Sequence, residues 1–377
     1  MRVLVLTNLY PPQNLGGFGL CVQRLTEGLE ERGYTTLVLS SDQPELGKIG
    51  TNPRILRFMQ LLGSYDGGVK YLNDSREEYK RKASNQKLLR KAIEGFKPDA
   101  CLVGNLDLLG QDLLNTLLDL WIPTIQHVGF MGAPMPLEHY PVGKPYKMAF
   151  ASGEVRRMLV QQGFPVRNHP VIYPPLTTNN PCTKKDPEEI RDYLRVGFSG
   201  LLMQSKGVHV LFEAFARLQH KGIPAKLSLA GDAFSKDYEI QLRDYANKVD
   251  ISRHVDWRGF LGADDLQKFY LDLDVLVFPS LHPESFGMVV AEAMATGVVP
   301  ISSGVGGAYE VITHGRNGLL VEPGDSEELS EALASLWRDP QRRHRIANQG
   351  KLDALRLFSP KFSAEKLDKE FRELIKS

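Results

Sequence analysis

The sequence of 377 residues predicts an α/β protein of two doubly wound, Rossmann-like domains, each a parallel sheet with helices on both faces. Three observations predict it. Short apolar runs without alternation recur along the chain, such as Val3-Leu4-Val5-Leu6 and Val275-Leu276-Val277-Phe278, the pattern of strands covered on both faces. Stretches of helical periodicity stand between these runs. The alternation breaks once, at YPPLTTNNPCTKKDPEE (173–189), which packs four prolines among small polar residues and then yields to a second series.

The elements follow in order. After the first strand, the loop NLYPPQNLGGFG leads into CVQRLTEGLEERG, with Val22, Leu25 and Leu29 on one helical face and a stop at Gly33. TTLVLSS completes a strand–helix–strand unit. Then come ACLVG, a helix near 106–119, PTIQHV, KMAFAS, a helix over 154–162 and HPVIY. Residues 44–91 carry little pattern, with Gly-containing loops leading into SREEYKRKASNQKLLRK. Beyond the proline-rich linker the series is LRVGFSG, a helix over 207–219, AKLSLAG, a helix near 238–248, HVDWRG, DVLVFPS, a helix over 288–295, VVPISS, NGLLVEP and a helix over 327–337. The last stretch is amphipathic through Phe362, Leu367, Phe371 and Leu374. The predicted division is 1–177, 178–358 and a terminal helix within 359–377, with the two domains facing across a cleft. Ligands of such sheets bind at the carboxyl ends of the strands.

Composition narrows the function. Hydrophobic residues make 42% of the chain and charged residues 24%, as in globular proteins. A net charge of +1 supplies no field for nucleic acid or a membrane. No apolar run reaches the ~18 residues of a membrane span. The N-terminus has one basic residue and too short an apolar core for a signal peptide. Cys21, Cys101 and Cys182 lie far apart, with neither metal-ligand spacing nor the look of a disulfide framework, which fits a reducing cytoplasm.

The most informative stretch is HPESFGMVVAEAMATG, residues 282–297. Pro283 fits a turn or helix entry, and Ser285 is a plausible N-cap. Glu284 then stands just outside a helix and Glu292 about two turns in, an axial rise of ~12 Å. The two are too far apart to share a proton or one metal ion, and suit two parts of one elongated ligand. Between them the N–H groups of Phe286, Gly287, Met288 and Val289 open the helix, and such donors suit a phosphate. Spacing alone fits two solvated helix residues equally well.

PESFGMVVAEAMATGVVPISSGVGG, following DVLVFPS, resembles the E-x7-E segment of the retaining family-4 glycosyltransferases of GT-B fold. The resemblance runs nearly end to end, through GGFG, PTIQH, FSGLLMQSKG, LAGD and NGLLVEPGD. It implies a transferase that moves a hexose-type sugar from a UDP- or GDP-sugar to a hydroxyl acceptor, with retention and without a metal or other cofactor. Glu284 would contact the donor-sugar hydroxyls and Glu292 the nucleotide ribose. The amides of Phe286, Gly287, Met288 and Val289 would hold sugar and phosphate oxygens. Gly16 and Gly17 would let the backbone approach the donor diphosphate and acceptor, although a glycine pair is also an ordinary tight turn. His127, at the end of its strand on the lip of the cleft, would contact the donor sugar without acting as general base. Lys206 would neutralise the diphosphate, and Leu261 would sit at the base. One departure stands out: the family has an arginine five residues before the lysine, and this chain has Leu201.

Two further patterns compete. Asp272 and Asp274 form a D-x-D, a metal motif in another glycosyltransferase fold, but here it runs into a buried strand. The stretch KRKASNQKLLRK could touch anionic lipid or a lipid-linked acceptor, although charge runs usually make a solvated face. Rival functions are another GT-B enzyme such as a glycogen synthase or a UDP-sugar epimerase, a non-catalytic nucleotide-sugar-binding relative, and a dinucleotide oxidoreductase. The last lacks its G-x-G-x-x-G, and length and the E-x7-E segment count against the epimerase.

Overall fold

The computed structural model describes residues 1–13, 16–50, 52–65, 69–176 and 192–376. The linker predicted at 173–189 and Cys182 fall largely outside them. The chain divides into two units, Met1–Thr177 with Phe358–Ser377, and Thr178–Leu357.

Unit 1 runs β1 (Arg2–Leu6), α1 (Gly17–Glu31), β2 (Thr35–Ser41), β3 (Ile55–Met59), β4 (Gly63–Tyr65), β5 (Val69–Tyr71), α2 (Ser75–Phe96), β6 (Ala100–Val103), α3 (Asp112–Asp119), β7 (Thr124–Val128), β8 (Tyr146–Phe150) and α4 (Gly153–Gln161). Its sheet has the order β3-β2-β1-β6-β7-β8, parallel throughout, with β4–β5 a separate antiparallel hairpin. Unit 2 runs β9 (Leu194–Ser199), α5 (Val208–His220), β10 (Ala225–Ala230), α6 (Lys236–Lys248), β11 (Val255–Gly259), α7 (Ala263–Asp272), β12 (Val275–Phe278), α8 (Met288–Ala295), β13 (Val299–Ser302), α9 (Ala308–Val311), β14 (Leu319–Leu320), α10 (Ser326–Arg338) and α11 (Pro340–Leu357). Its parallel sheet has the order β11-β10-β9-β12-β13-β14. Winding reverses between β1 and β6 in one sheet and between β9 and β12 in the other. Each reversal leaves a crevice at the carboxyl ends of the strands.

Local departures have physical reasons. HPVIY makes only a bridge, Phe150 to Val171, and NGLLVEP supplies a strand of two residues. The helix expected from 106 begins at Asp112, because Asn105 to Leu109 turn back on themselves through Leu109 and Gly110 N–H bonds to the Leu106 carbonyl. Helices α7 and α11 were not legible. In α11 the buried residues are Ile346, Gly350, Asp353 and Ala354, too few large apolar groups to mark a stripe. The same holds for α2, whose buried residues are Asn85 and Leu89, although Asp74 caps it by accepting from the Arg76 and Glu77 N–H groups at 2.9 and 3.2 Å.

The final helix, α12 (Pro360–Lys376), packs on unit 1. Leu367, Phe371 and Leu374 join the cluster of Val3, Val5 and Leu25. Gly28 of α1 permits the approach, since a Cβ there would meet the Pro360 carbonyl at 2.8 Å. Asp368 then accepts from Tyr34 Oη, Arg32 Nη2 (2.9 Å) and Arg372 Nε (2.7 Å), while Lys147 donates to Glu370 at 2.7 Å. Burial pushes the Asp368 carboxyl up, but these donors outweigh it and hold it below its ordinary value. Among the described residues no helix is long and apolar enough to cross a membrane.

Phe371→Ala should remove about 3–5 kcal/mol from the stability of unit 1, as deletion of a buried ring does. Urea unfolding would read this, and an unchanged midpoint would show that α12 is not part of that core.

Candidate functional site

In unit 2 the switch point collects three loops. The first follows β9 and ends in a turn at Gln204–Lys206. Gly207 closes it at φ +66°, and a Cβ there would overlap the Pro279 carbonyl, so only glycine lets this turn lie against the chain leaving β12. Leu281 N–H bonds the Ser205 carbonyl at 2.8 Å and ties the first two loops together. In the third loop, after β13, Gly307 N–H donates to the Glu284 carbonyl at 2.6 Å. Gly306 lies beside it at φ +69°, where a Cβ would come within 2.5 Å of the Glu284 nitrogen.

This convergence fixes one ion pair. Lys206 Nζ donates to Glu284 Oε1 at 2.5 Å, and Ser280 Oγ reaches the same oxygen at 2.8 Å. Ser280 is fully buried, while the side chains of Lys206 and Glu284 keep 26% and 19% of their surface. The pair is thus walled by protein yet open to a ligand. Lys206 also stands 5.6 Å from the Phe278 ring.

Helix α8 has the bounds read from the sequence, but its cap differs. Ser285 is not the cap; Gly287, at φ +92°, is. A left-handed residue there turns the chain beneath Ala308, whose Cβ is 3.2 Å from where a Gly287 Cβ would sit. Val290 and Ala291 make the first intrahelical bonds, both to the Gly287 carbonyl. The N–H groups of Met288 and Val289 precede them and have no acceptor within the helix. Phe286 is buried. Glu292 is the fifth residue of α8, about one turn in, and accepts from Tyr270 Oη at 3.2 Å. Burial, and then the Glu292 charge, push the Tyr270 phenol well above its ordinary value, so it remains a donor. Leu261 and Val289 pack on the apolar cluster that contains Tyr270. Glu284 and Glu292 therefore have separate partners on either side of an open helix start.

Other residues singled out in the sequence fall elsewhere. Leu201 is 41% exposed, and Arg258 pairs with Asp256 on its own strand at 2.6 Å. Asp274 receives Arg195 at both oxygens, at 2.7 and 3.0 Å, and serves to join β12 to β9. In unit 1, Gly16 (φ +69°) precedes α1 and Gly17 begins it, both exposed. Within the basic stretch of α2, Arg81 and Lys82 pair with Glu77 and Glu78 at 2.9 and 2.7 Å, one turn back along the helix.

His127 corrects its expected place on an open lip. The ring is 1% exposed, with Nε2 bonded to the Ile172 carbonyl at 2.9 Å and Nδ1 4.0 Å from Cys21 Sγ. Neighbouring strands and α1 close over it, because its strand lies inside the sheet. Burial lowers its pKa to about 4 and raises that of Cys21 to about 12, so the two meet as neutral imidazole and thiol. The sequence had given no notice of Ser280, Tyr270 or Gly306; their roles arise from loops that meet only in the fold.

The two parallel sheets, and the gathering of lysine, glutamate and helix start at a switch point, define a GT-B architecture. Solved structures share it. The Anabaena Alr3699/HepE structure in complex with UDP superposes with a TM-score of 0.75 at 21% identity, over 99% of this chain and all of that one. A sucrose-phosphate synthase from Thermosynechococcus elongatus gives 0.76 at 18% identity, over the full length of both. Residues 183–353, which lie within the second unit, match the family described as glycosyl transferases group 1. A D-inositol 3-phosphate glycosyltransferase of Corynebacterium urealyticum is 32% identical over 186 residues, 48% of this chain and 42% of that protein. A glycogen synthase of Mycobacterium tuberculosis is 34% identical over 155 residues, 40% and 36% respectively. The chain spans about half or less of the length of these relatives.

The folded pKa of His127 lies below its unfolded value of 6.5, so its contribution is present above pH 6.5 and lost as pH falls towards 4. Wild type should lose about 2 kcal/mol more than His127→Gln between pH 6.5 and 5. Urea titrations at both pH values would read the difference; parallel losses would mean that His127 is not held neutral.

Proposed function

We propose that the protein is a glycosyltransferase that moves a hexose-type sugar from a UDP- or GDP-sugar to a hydroxyl acceptor, with retention of configuration and without a metal ion. The observation that carries this reading is the Lys206–Glu284 pair at the β9/β12 crevice, next to the open start of α8. Glu284 accepts hydrogen bonds from the donor-sugar hydroxyls. Lys206 turns from Glu284 to the diphosphate and offsets the charge that grows on it as the bond breaks. Ser280 keeps its bond to Glu284 as the lysine leaves. The Met288 and Val289 amides, at the positive end of α8, serve the phosphate and sugar oxygens. Glu292, oriented by Tyr270, accepts from the ribose hydroxyls, and Leu261 with Val289 forms an apolar wall for the base.

The transfer itself follows from retention. The acceptor oxygen bonds to the anomeric carbon on the face from which the phosphate oxygen departs, and the acceptor proton passes to that phosphate oxygen. Water must be kept out for transfer to prevail over hydrolysis. His127, neutral and internally bonded, holds β7 in place within unit 1, and Gly16 and Gly17, both exposed at the start of α1, leave the backbone there open to close approach. The names of the group 1 relatives and the UDP held by a structural neighbour support this reading. Leu201 favours a second one, a relative that binds nucleotide sugar without turnover, because a site with one cation fewer stabilises the leaving diphosphate less.

Stability against temperature should rise with one of UDP, GDP, ADP or TDP, or its sugar, in EDTA. A ligand at 100 times its Kd adds about 2.7 kcal/mol. Glu284→Ala should cut turnover about 10²- to 10³-fold with the fold unchanged. Near-normal turnover would remove Glu284 from the reaction. Gly306→Ala should act in the same direction by displacing the Glu284 backbone, and Leu201→Arg should tighten nucleoside diphosphate binding.

A further inference from the structure

Unit 1 contains a cavity of about 460 Å³ at the carboxyl ends of β2 and β3, within the size range of small-molecule sites. Asp42 and Gln43 line it after β2, Arg57, Phe58 and Gln60 line it from β3 and its end, and Arg81 lines it from α2. Its walls are built by buried amides. Gln13, 1% exposed, donates to Asp42 Oδ1 at 2.9 Å and to the Gly47 carbonyl at 3.0 Å, and accepts from Gln43 N–H at 2.9 Å. Asn85, fully buried, clamps the Gln60 backbone by bonding both its N–H and its carbonyl at 2.8 Å.

The guanidinium groups in this cavity are already hydrogen-bonded to the protein. Arg57 gives Nη1 to the Tyr10 carbonyl at 2.7 Å and Nη2 to the Pro11 carbonyl at 2.6 Å. Arg81 gives Nε to Glu77 at 2.9 Å and Nη1 to the Leu61 carbonyl at 2.7 Å. Two guanidinium groups face two carboxylates, Asp42 and Glu77, so the cavity is not a trap for phosphate. What it does offer is an aromatic face. Phe58 lies on edge strand β3 and is 64% exposed. Around it stand the side-chain amides of Gln43 and Gln60, which can donate and accept, and the Asp42 carboxylate, which accepts. An apolar ring face bordered by planar polar groups matches a sugar ring, whose C–H face is apolar and whose edge carries hydroxyls.

We propose that this cavity binds a neutral pyranose unit of the acceptor, which is therefore a glycan or glycoside. Its role as acceptor site rests on the donor reading of unit 2. The sugar stacks one face on Phe58 and presents hydroxyls to Gln43, Gln60 and Asp42. The cavity selects against phosphorylated sugars because both guanidinium groups are already hydrogen-bonded within the protein and two carboxylates, Asp42 and Glu77, stand beside them.

The test is saturation-transfer NMR on the full chain with methyl α-D-glucopyranoside, methyl α-D-mannopyranoside and methyl α-D-galactopyranoside. At least one should bind wild type, and Phe58→Ala and Gln60→Ala should each weaken it about tenfold. Both side chains are exposed, so neither variant threatens the fold. Glu284→Ala should bind the glycoside as wild type does, and the two cavity variants should keep wild-type stabilisation by nucleoside diphosphate. No binding of any glycoside to wild type, undiminished binding in both cavity variants, or displacement of the glycoside by inorganic phosphate would overturn the proposal. Loss of nucleotide stabilisation in wild type would instead sink the donor reading and leave glycoside binding at Phe58 standing.

Discussion

The reversal of winding between β9 and β12 is the constraint on which the chemistry of the second unit depends. Parallel strands deliver their carboxyl ends to one edge of a sheet, and a reversal keeps two neighbouring ends from being covered by the same crossover. Lys206 follows one of these strands and Glu284 the other, 78 positions apart in sequence yet joined at 2.5 Å. Gly207 and Gly306 make that meeting sterically possible, each at a left-handed backbone angle where a side chain would strike the neighbouring loop.

The electrostatics are spare. One lysine answers one carboxylate, a buried serine shares the load, and five residues before the lysine stands an exposed leucine, Leu201. The pair is partly desolvated, so each charge is costly without the other. A ligand that draws off the lysine must hand Glu284 new donors, and sugar hydroxyls can do so. Anionic and hydroxyl groups in a single molecule thus satisfy both halves of the pair at once.

Unit 1 shows the opposite use of ionisable groups. Asp368 anchors α12 through three donors, and His127 is kept neutral within the core by burial, against the opposing effect of its bond to the Ile172 carbonyl. Neither group is open to a ligand. Gln43, Gln60 and Asp42 line instead an open cavity with Phe58 at the carboxyl ends of β2 and β3.

Much of this was legible from the sequence. Strands covered on both faces are apolar throughout, so β1, β6, β9 and β12 were visible as runs, and α8 was found with its bounds intact. Helices with few large buried residues, α2 and α11, were not, since charge and small groups erase the stripe that marks a helix. Residue types at Glu284, Lys206 and Glu292 pointed to a donor site, whereas the cap at Gly287 in place of Ser285 depended on Ala308 lying across the turn. By itself the sequence determined the class of fold and the chemical groups available, because both follow from local pattern and residue type. Tertiary structure alone decided that Lys206 pairs with Glu284, that Tyr270 holds Glu292 and that His127 is enclosed, because each depends on which distant loops and strands the sheet order makes neighbours.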